Sequence, residues 1–256
     1  MSKRGDRKKT VIESNEENTV LVLGATGATG RLLVRLLLDR GLHVKAVARA
    51  SATLPDQLRE HDRLSVIRAN LLELTNAELT ALTAGCKTVA SCLGHTMSWK
   101  GIFGKPRRLV TDNVRRLSAA IIARRPEVPV RFVLMSSAGC SNRDIDEPMS
   151  SAQKIVIALL RLLLPPHADN EQAADYLRTE LGQDNEALEW VAVRPDSLRD
   201  EDVVTDYALH PSPIRSALFN PGSTSRINVA HFMAELITDN ETWQRWKGQM
   251  PVIYNK

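Results

Sequence analysis

Short, near-continuous apolar runs alternate along the chain with longer stretches whose apolar residues return at helical spacing. Thr19–Leu23, His43–Ala48, Leu64–Arg68, Thr88–Cys92, Val130–Met135 and Leu188–Val193 predict strands. Arg31–Arg40, Asn76–Thr83, Thr111–Arg124 and Asn170–Leu181 predict helices between them. Runs such as RFVLM and EWVAV lack the alternation of a half-exposed strand, which means that helices cover both faces. The expected class is therefore α/β, with a doubly wound parallel sheet. After Pro195 the pattern loosens, then returns as a short strand near Arg226–Asn228, a helix Val229–Thr238 and a last strand Pro251–Tyr254. This C-terminal third is expected to form a small lobe on the substrate side. No linker divides residues 19–256, which read as one domain. Ala152–Leu164 is apolar on nearly every side, a pattern that predicts burial in the core ahead of a role as a lid.

Composition narrows the class. Of the 256 residues, 43% are hydrophobic and 25% charged, which excludes collagen-like, wholly disordered and disulfide-scaffold chains. No run reaches the about 18 apolar residues of a transmembrane helix. Residues 1–18 read as a polar, disordered leader; they lack the apolar core of a secretory signal, and four acidic residues argue against an organelle transit peptide. The net charge of +4 is carried by Lys3, Arg4, Arg7, Lys8 and Lys9 against Asp6, so the remaining body is neutral and nucleic acid is not the expected partner. Cys86, Cys92 and Cys140 are odd in number and lack CxxC spacing, which predicts free thiols in a reducing, cytoplasmic compartment. The dispersed histidines predict no metal site, and Ser136 and Ser137 stand outside any GxSxG elbow, which argues against a hydrolase.

Between the first strand and the first helix, LGATGATGRLL places Gly24, Gly27 and Gly30 where a dinucleotide fingerprint belongs. Gly24 permits the tight turn, Gly27 the approach of backbone to a pyrophosphate, and Gly30 close helix packing; Thr26, Ala28 and Thr29 complete the loop before the helix N-terminus. About 20 residues on, an NAD site offers an acid to the ribose 2′-hydroxyl. Here HVKAVARAS offers Arg49 instead, with Ser51 beside it, and a guanidinium suits a 2′-phosphate. The expected cofactor is NADP(H).

These residues, with VRFVLMSSAG in the fifth strand and WVAVRPDSL in the sixth, resemble the atypical short-chain dehydrogenase/reductase family, nearest its NmrA-like and biliverdin-reductase-B-like branch. The resemblance spans roughly Thr19 to Tyr254 and implies an NADP(H)-binding Rossmann fold. It would set Asn70 and Leu71 beside the adenine, although the family more often has Asp at the position of Asn70. Ser91, Leu93, Gly94 and His95 would run beside the ribose and nicotinamide. Ser136 and Ser137 would face the nicotinamide, Pro195 would follow the sixth strand with Arg194, Asp196 and Ser197, and Asn113 would occupy a helix position often polar in the family.

Many members of that family pair a Tyr with a Lys four residues later, the Lys lowering the Tyr pKa for proton exchange. Four residues beyond Tyr176 stands Glu180, which has the opposite effect. The expectation is a reductase without that dyad, passing hydride to a small or medium organic substrate; a nucleotide sensor with a protein partner, or an assembly protein, is the alternative. Ser137 and His167 are the candidate catalytic residues, and Asp169 or Asn170 reads as the N-cap of the helix entered there. Lys100, Lys105, Arg107 and Arg108 form a basic loop that reads first as a solvated face and would also suit an acidic substrate.

Overall fold

The computed structural model describes residues 19–50, 52–96, 98–147 and 150–256. The leader 1–18, Ser51 and the side chain of Lys100 lie outside what is described. Ten strands are present among these residues: β1 Thr19–Leu23, β2 His43–Ala48, β3 Leu64–Arg68, β4 Thr88–Ser91, β5 Val130–Met135, β6 Leu188–Pro195, β7 Ser197–Arg199, β8 Tyr207–His210, β9 Ser223–Ser225 and β10 Val252–Asn255. Eight of them form one sheet in the order β3-β2-β1-β4-β5-β6-β10-β8, parallel except for β8, which pairs antiparallel with β10. β7 and β9 pair separately. The order reverses between β1 and β4, the crevice where such sheets bind ligands at their carboxyl ends.

Why both faces are covered is visible in β1, all of whose residues are buried. Val20 and Val22 pack into one cluster with Leu33, Val34 and Leu37 of helix α1 (Ala28–Asp39) and Phe232 and Met233 of helix α8 (Arg226–Thr238). Leu21 and Leu23 pack on the other side with helices α3 (Asn76–Thr83) and α5 (Leu109–Ala123). Short helices α2 (Asp56–Arg59), α4 (Trp99–Phe103) and α9 (Asn240–Trp246) fill connections.

Several boundaries differ from the sequence expectation. α1 starts at Ala28 rather than Arg31, because the glycine turn itself delivers the first helical residues. The strand expected at Arg226–Asn228 is Ser223–Ser225; Ser225 accepts a hydrogen bond from the Asn228 N–H, and that cap starts α8 at Arg226. The helix expected from Asn170 begins at Pro165, two prolines being tolerated in a first turn; this α7 (Pro165–Asp175) continues as a π-helical segment, Tyr176–Leu181. The C-terminal third is divided: β8 and β10 complete the main sheet and α8 packs on its face, while β7 and β9 pair separately.

The largest correction concerns helix α6 (Ser151–Leu163), for which the sequence predicts burial. Ile155 and Leu162 are 63% and 78% exposed, and Ile157 is the helix's buried residue. The sheet faces are already taken by other helices, so α6 lies on α7 above the carboxyl edge and turns only one stripe inward.

Candidate functional site

A groove of about 840 Å³ runs over the ends of β1 to β4. Its floor is the glycine turn. Gly24 adopts φ +67°, and a Cβ there would stand 2.5 Å from the Cys92 carbonyl oxygen; a Cβ on Gly30 would stand 2.1 Å from the carbonyl oxygen of Gly24. The Gly27 N–H closes the turn on that same oxygen at 2.9 Å. α1 then starts without a side-chain cap, so its first N–H groups face the groove's end as an anion site would require. Gly30→Ala is expected to push the turn off α1 and lower stability by about 1–3 kcal/mol, read as a fall in the urea unfolding midpoint.

Gly24, Thr26, Gly27, Arg49, Asn70, Leu71, Leu93, Gly94 and His95 all line this groove, as do Asn113, Thr53 and Lys105. Thr29 and Gly30 are instead buried beneath the turn, and Ala28 is exposed on α1. Arg49 is exposed at the far end, and Arg68 Nη1 donates to the carbonyls of Ala50 and Ala52 at 3.1 Å each, holding the loop that follows it. Asn70 Nδ2 donates to Glu73 Oε1 at 2.6 Å. Thr53 and Lys105 line the groove although neither belongs to a sequence motif.

Farther along the carboxyl edge, over β5 and β6, lies a second cavity of about 330 Å³. Ser136, Ser137, His167 and Pro195 line it, under a roof of Gln153, Ile157 and Leu160 from α6. Ser136 and Pro195 thus sit on this side rather than in the groove. Ser137 Oγ accepts a hydrogen bond from the Gly139 N–H at 3.2 Å, which leaves its own O–H to donate. His167 Nε2 is buried without a hydrogen-bond partner among the described residues. A Cβ on Gly139 would lie 3.3 Å from His167 Cε1 and 3.6 Å from Ser137 Oγ, so the glycine lets the two candidates close on one point. Burial pushes the His167 pKa down, Glu171 opposing and Arg161 adding to the effect.

Two buried charged groups hold these walls. The sequence reads Asp169 as the N-cap of its own helix, but it lies inside α7, and its carboxylate instead caps α5, accepting from the backbone N–H groups of Val110 (2.8 Å) and Thr111 (2.9 Å). His95 Nε2 meets Asp169 Oδ2 at 2.7 Å, and its Nδ1 lies 3.2 Å from the Gly101 carbonyl. Burial raises the Asp169 pKa, but the hydrogen bonds from His95, Val110 and Thr111 outweigh it and hold the carboxyl below its ordinary range. The second group is Arg194, fully buried at the end of β6, which meets Glu147 Oε1 at 2.7 Å and donates to the carbonyls of Met250, Cys140 and Pro211.

Tyr176 lines neither cavity. The Arg115 guanidinium lies 4.9 Å over its ring, and burial, then Glu180, raise its pKa. The three cysteines are free and buried. No helix among the described residues is long and apolar enough to cross a membrane.

A parallel doubly wound sheet with a glycine turn entering α1 at its switch point defines a Rossmann-type nucleotide-binding protein. The chain belongs to the NAD(P)H-binding family, whose model matches residues 24–240. No curated protein matches its sequence. Solved structures with the same fold include an NAD-dependent epimerase/dehydratase from Bacillus halodurans, so described provisionally, at 22% identity over 93% of this chain and 94% of that one, TM-score 0.67. A short-chain dehydrogenase/reductase from Veillonella parvula in complex with NADP is 19% identical over 93% and 94%, TM-score 0.65. ChuY, an anaerobilin reductase from Escherichia coli O157:H7, is 17% identical over 93% and 97%, TM-score 0.63. Family and fold fit the resemblance to the atypical short-chain dehydrogenases/reductases.

Proposed function

We propose that this protein is an NADP(H)-dependent oxidoreductase that reduces a small or medium organic substrate without a Tyr-Lys dyad, residues 19–256 acting as one domain. The observation that carries this reading is the succession, along one sheet edge, of a glycine-floored groove and a cavity holding Ser137 and His167. The residues present fit the dinucleotide: the turn around Gly24 has no room for a side chain, and the uncapped start of α1 suits a pyrophosphate. When bound, the reduced nicotinamide supplies hydride. Ser137 donates its hydroxyl proton in a hydrogen bond to the substrate oxygen on which negative charge develops. His167 delivers the proton that this oxygen takes up.

Arg49 supports NADP(H) over NAD(H), since a guanidinium pairs with a 2′-phosphate and the stretch HVKAVARAS holds no acid. Among the neighbours of the same fold, the Veillonella parvula protein is in complex with NADP. Titration calorimetry with NADPH and NADH is the test, and Arg49→Glu should weaken NADPH by about tenfold or more while leaving NADH nearly unchanged. Equal affinities in the unaltered protein would overturn the preference.

The acid–base role has its own signature. Burial holds His167 below its ordinary value, so the protonated donor is the minority form at neutral pH. Reductive turnover is therefore expected to rise as pH falls toward that lowered pKa, and His167→Ala should flatten the profile. Ser137→Ala should lower kcat by about 10²-fold, as loss of a single oxyanion donor does. Nucleotide binding with no turnover of any acceptor would instead favour a sensor.

A further inference from the structure

The groove and the cavity differ in charge. Arg49 and Lys105 line the groove, whereas no Lys or Arg is found among the described residues that line the cavity. The carboxylate in its wall, Asp196, is already committed: Oδ1 accepts from the Ser197 N–H at 2.8 Å and Oδ2 from the Gly222 N–H at 2.9 Å. Two buried or half-buried guanidiniums behind this wall, Arg161 and Arg194, are engaged as well. Arg161 is held by both oxygens of Glu171, at 2.5 Å each, and Arg194 is spent on Glu147 and three carbonyls. The rest of the wall is mixed and carries no charge: Ile157, Leu160, Leu198, Ala217 and Leu218 are aliphatic, and Ser136, Gln153 and Ser197 are polar.

A carboxylate or phosphate entering this space would give up its hydration and meet no cation, a transfer that costs far more than hydrophobic contact returns. A carbonyl oxygen would lose only one or two water contacts and would find the Ser137 hydroxyl on the wall. The volume, about 330 Å³, lies at the lower end for ligand pockets. Resting on the reading of the groove as the nucleotide site, we propose that the cavity takes an uncharged, partly apolar molecule bearing a carbonyl-type oxygen, and rejects anionic acceptors. This replaces the acidic substrate suggested by the basic loop: Lys105 belongs to the groove, on the nucleotide's side.

Matched aldehydes test the proposal by calorimetry, on nucleotide-free protein and on protein saturated with NADP+. 4-Acetylbenzaldehyde and 4-carboxybenzaldehyde have nearly the same shape and differ by one negative charge. The acetyl compound is expected to bind at least about tenfold more tightly. Leu218→Arg, which places a cation in the wall, should erase or invert that preference; Gln153→Lys on the α6 roof does the same with less demand on packing. Equal or tighter binding of the carboxylate by the unaltered protein, or binding of neither aldehyde, overturns the proposal. NADPH titrated alone reports on the groove separately, so failure there strikes the nucleotide reading, and the aldehyde comparison without nucleotide still judges this one.

Discussion

Asp169→Ala is expected to lower the free energy of unfolding by about 3–5 kcal/mol, measured by urea denaturation. The substitution strips the caps from two buried N–H groups at the start of α5 and removes the partner of His95. It also severs a tie among three separate segments: the loop after β4 that lines the groove, the first turn of α5, and α7, which carries His167 two residues away. Nucleotide affinity and the placement of His167 should therefore suffer together, a pairing not expected from a cavity elsewhere in the core. The pH dependence has a definite sign. Because the Asp169 pKa is depressed in the folded state, its contribution is complete above the ordinary carboxylate range and is lost as pH falls through the folded value. The acid side of the stability profile should flatten in the variant.

Arg194→Met is expected to cost a similar amount, about 3–5 kcal/mol, since it leaves Glu147 buried without its cation and three carbonyls without a donor. Glu147 is also tied down by the Asn142 N–H at 2.9 Å, so the pair holds the 140–147 segment against β6 and, through Pro211, the chain leading to Ala217 and Leu218. Two readouts identify this role. Adding Glu147→Gln to Arg194→Met should recover a substantial part of the loss, because no uncompensated charge then remains buried. At temperatures where the variant stays folded, it should bind NADPH nearly as the parent does while losing affinity for the cavity's ligand. The disturbed segments border the cavity and leave the glycine turn untouched.

Strands such as Val130–Met135 are legible to the residue in the sequence because an apolar run flanked by breakers has one low-energy solution in a covered sheet. Helix starts were read less well: Ala28, Pro165 and Arg226 begin helices ahead of the apolar stripe, where a turn or cap rather than periodicity sets the boundary. α6 misled most. Its composition describes a buried helix, yet whether a face is buried depends on what is left uncovered elsewhere, and both sheet faces were already filled.

The sequence by itself determined the alternation of elements, the glycine turn with its demand for bare backbone at Gly24 and Gly30, and the position of Arg49 at the end of β2. Each is a local property, dictated by the spacing and stereochemistry of neighbours. Only the tertiary structure decided that Asp169 caps a helix 58 residues away, that Arg194 and Glu147 meet in the interior, and that Ser137 and His167 converge around Gly139 on a cavity wall without a cation. Those contacts join segments with no periodic relation in the chain. Their cost or benefit depends on burial, which exists only once the sheet has assembled and its carboxyl edge has been roofed.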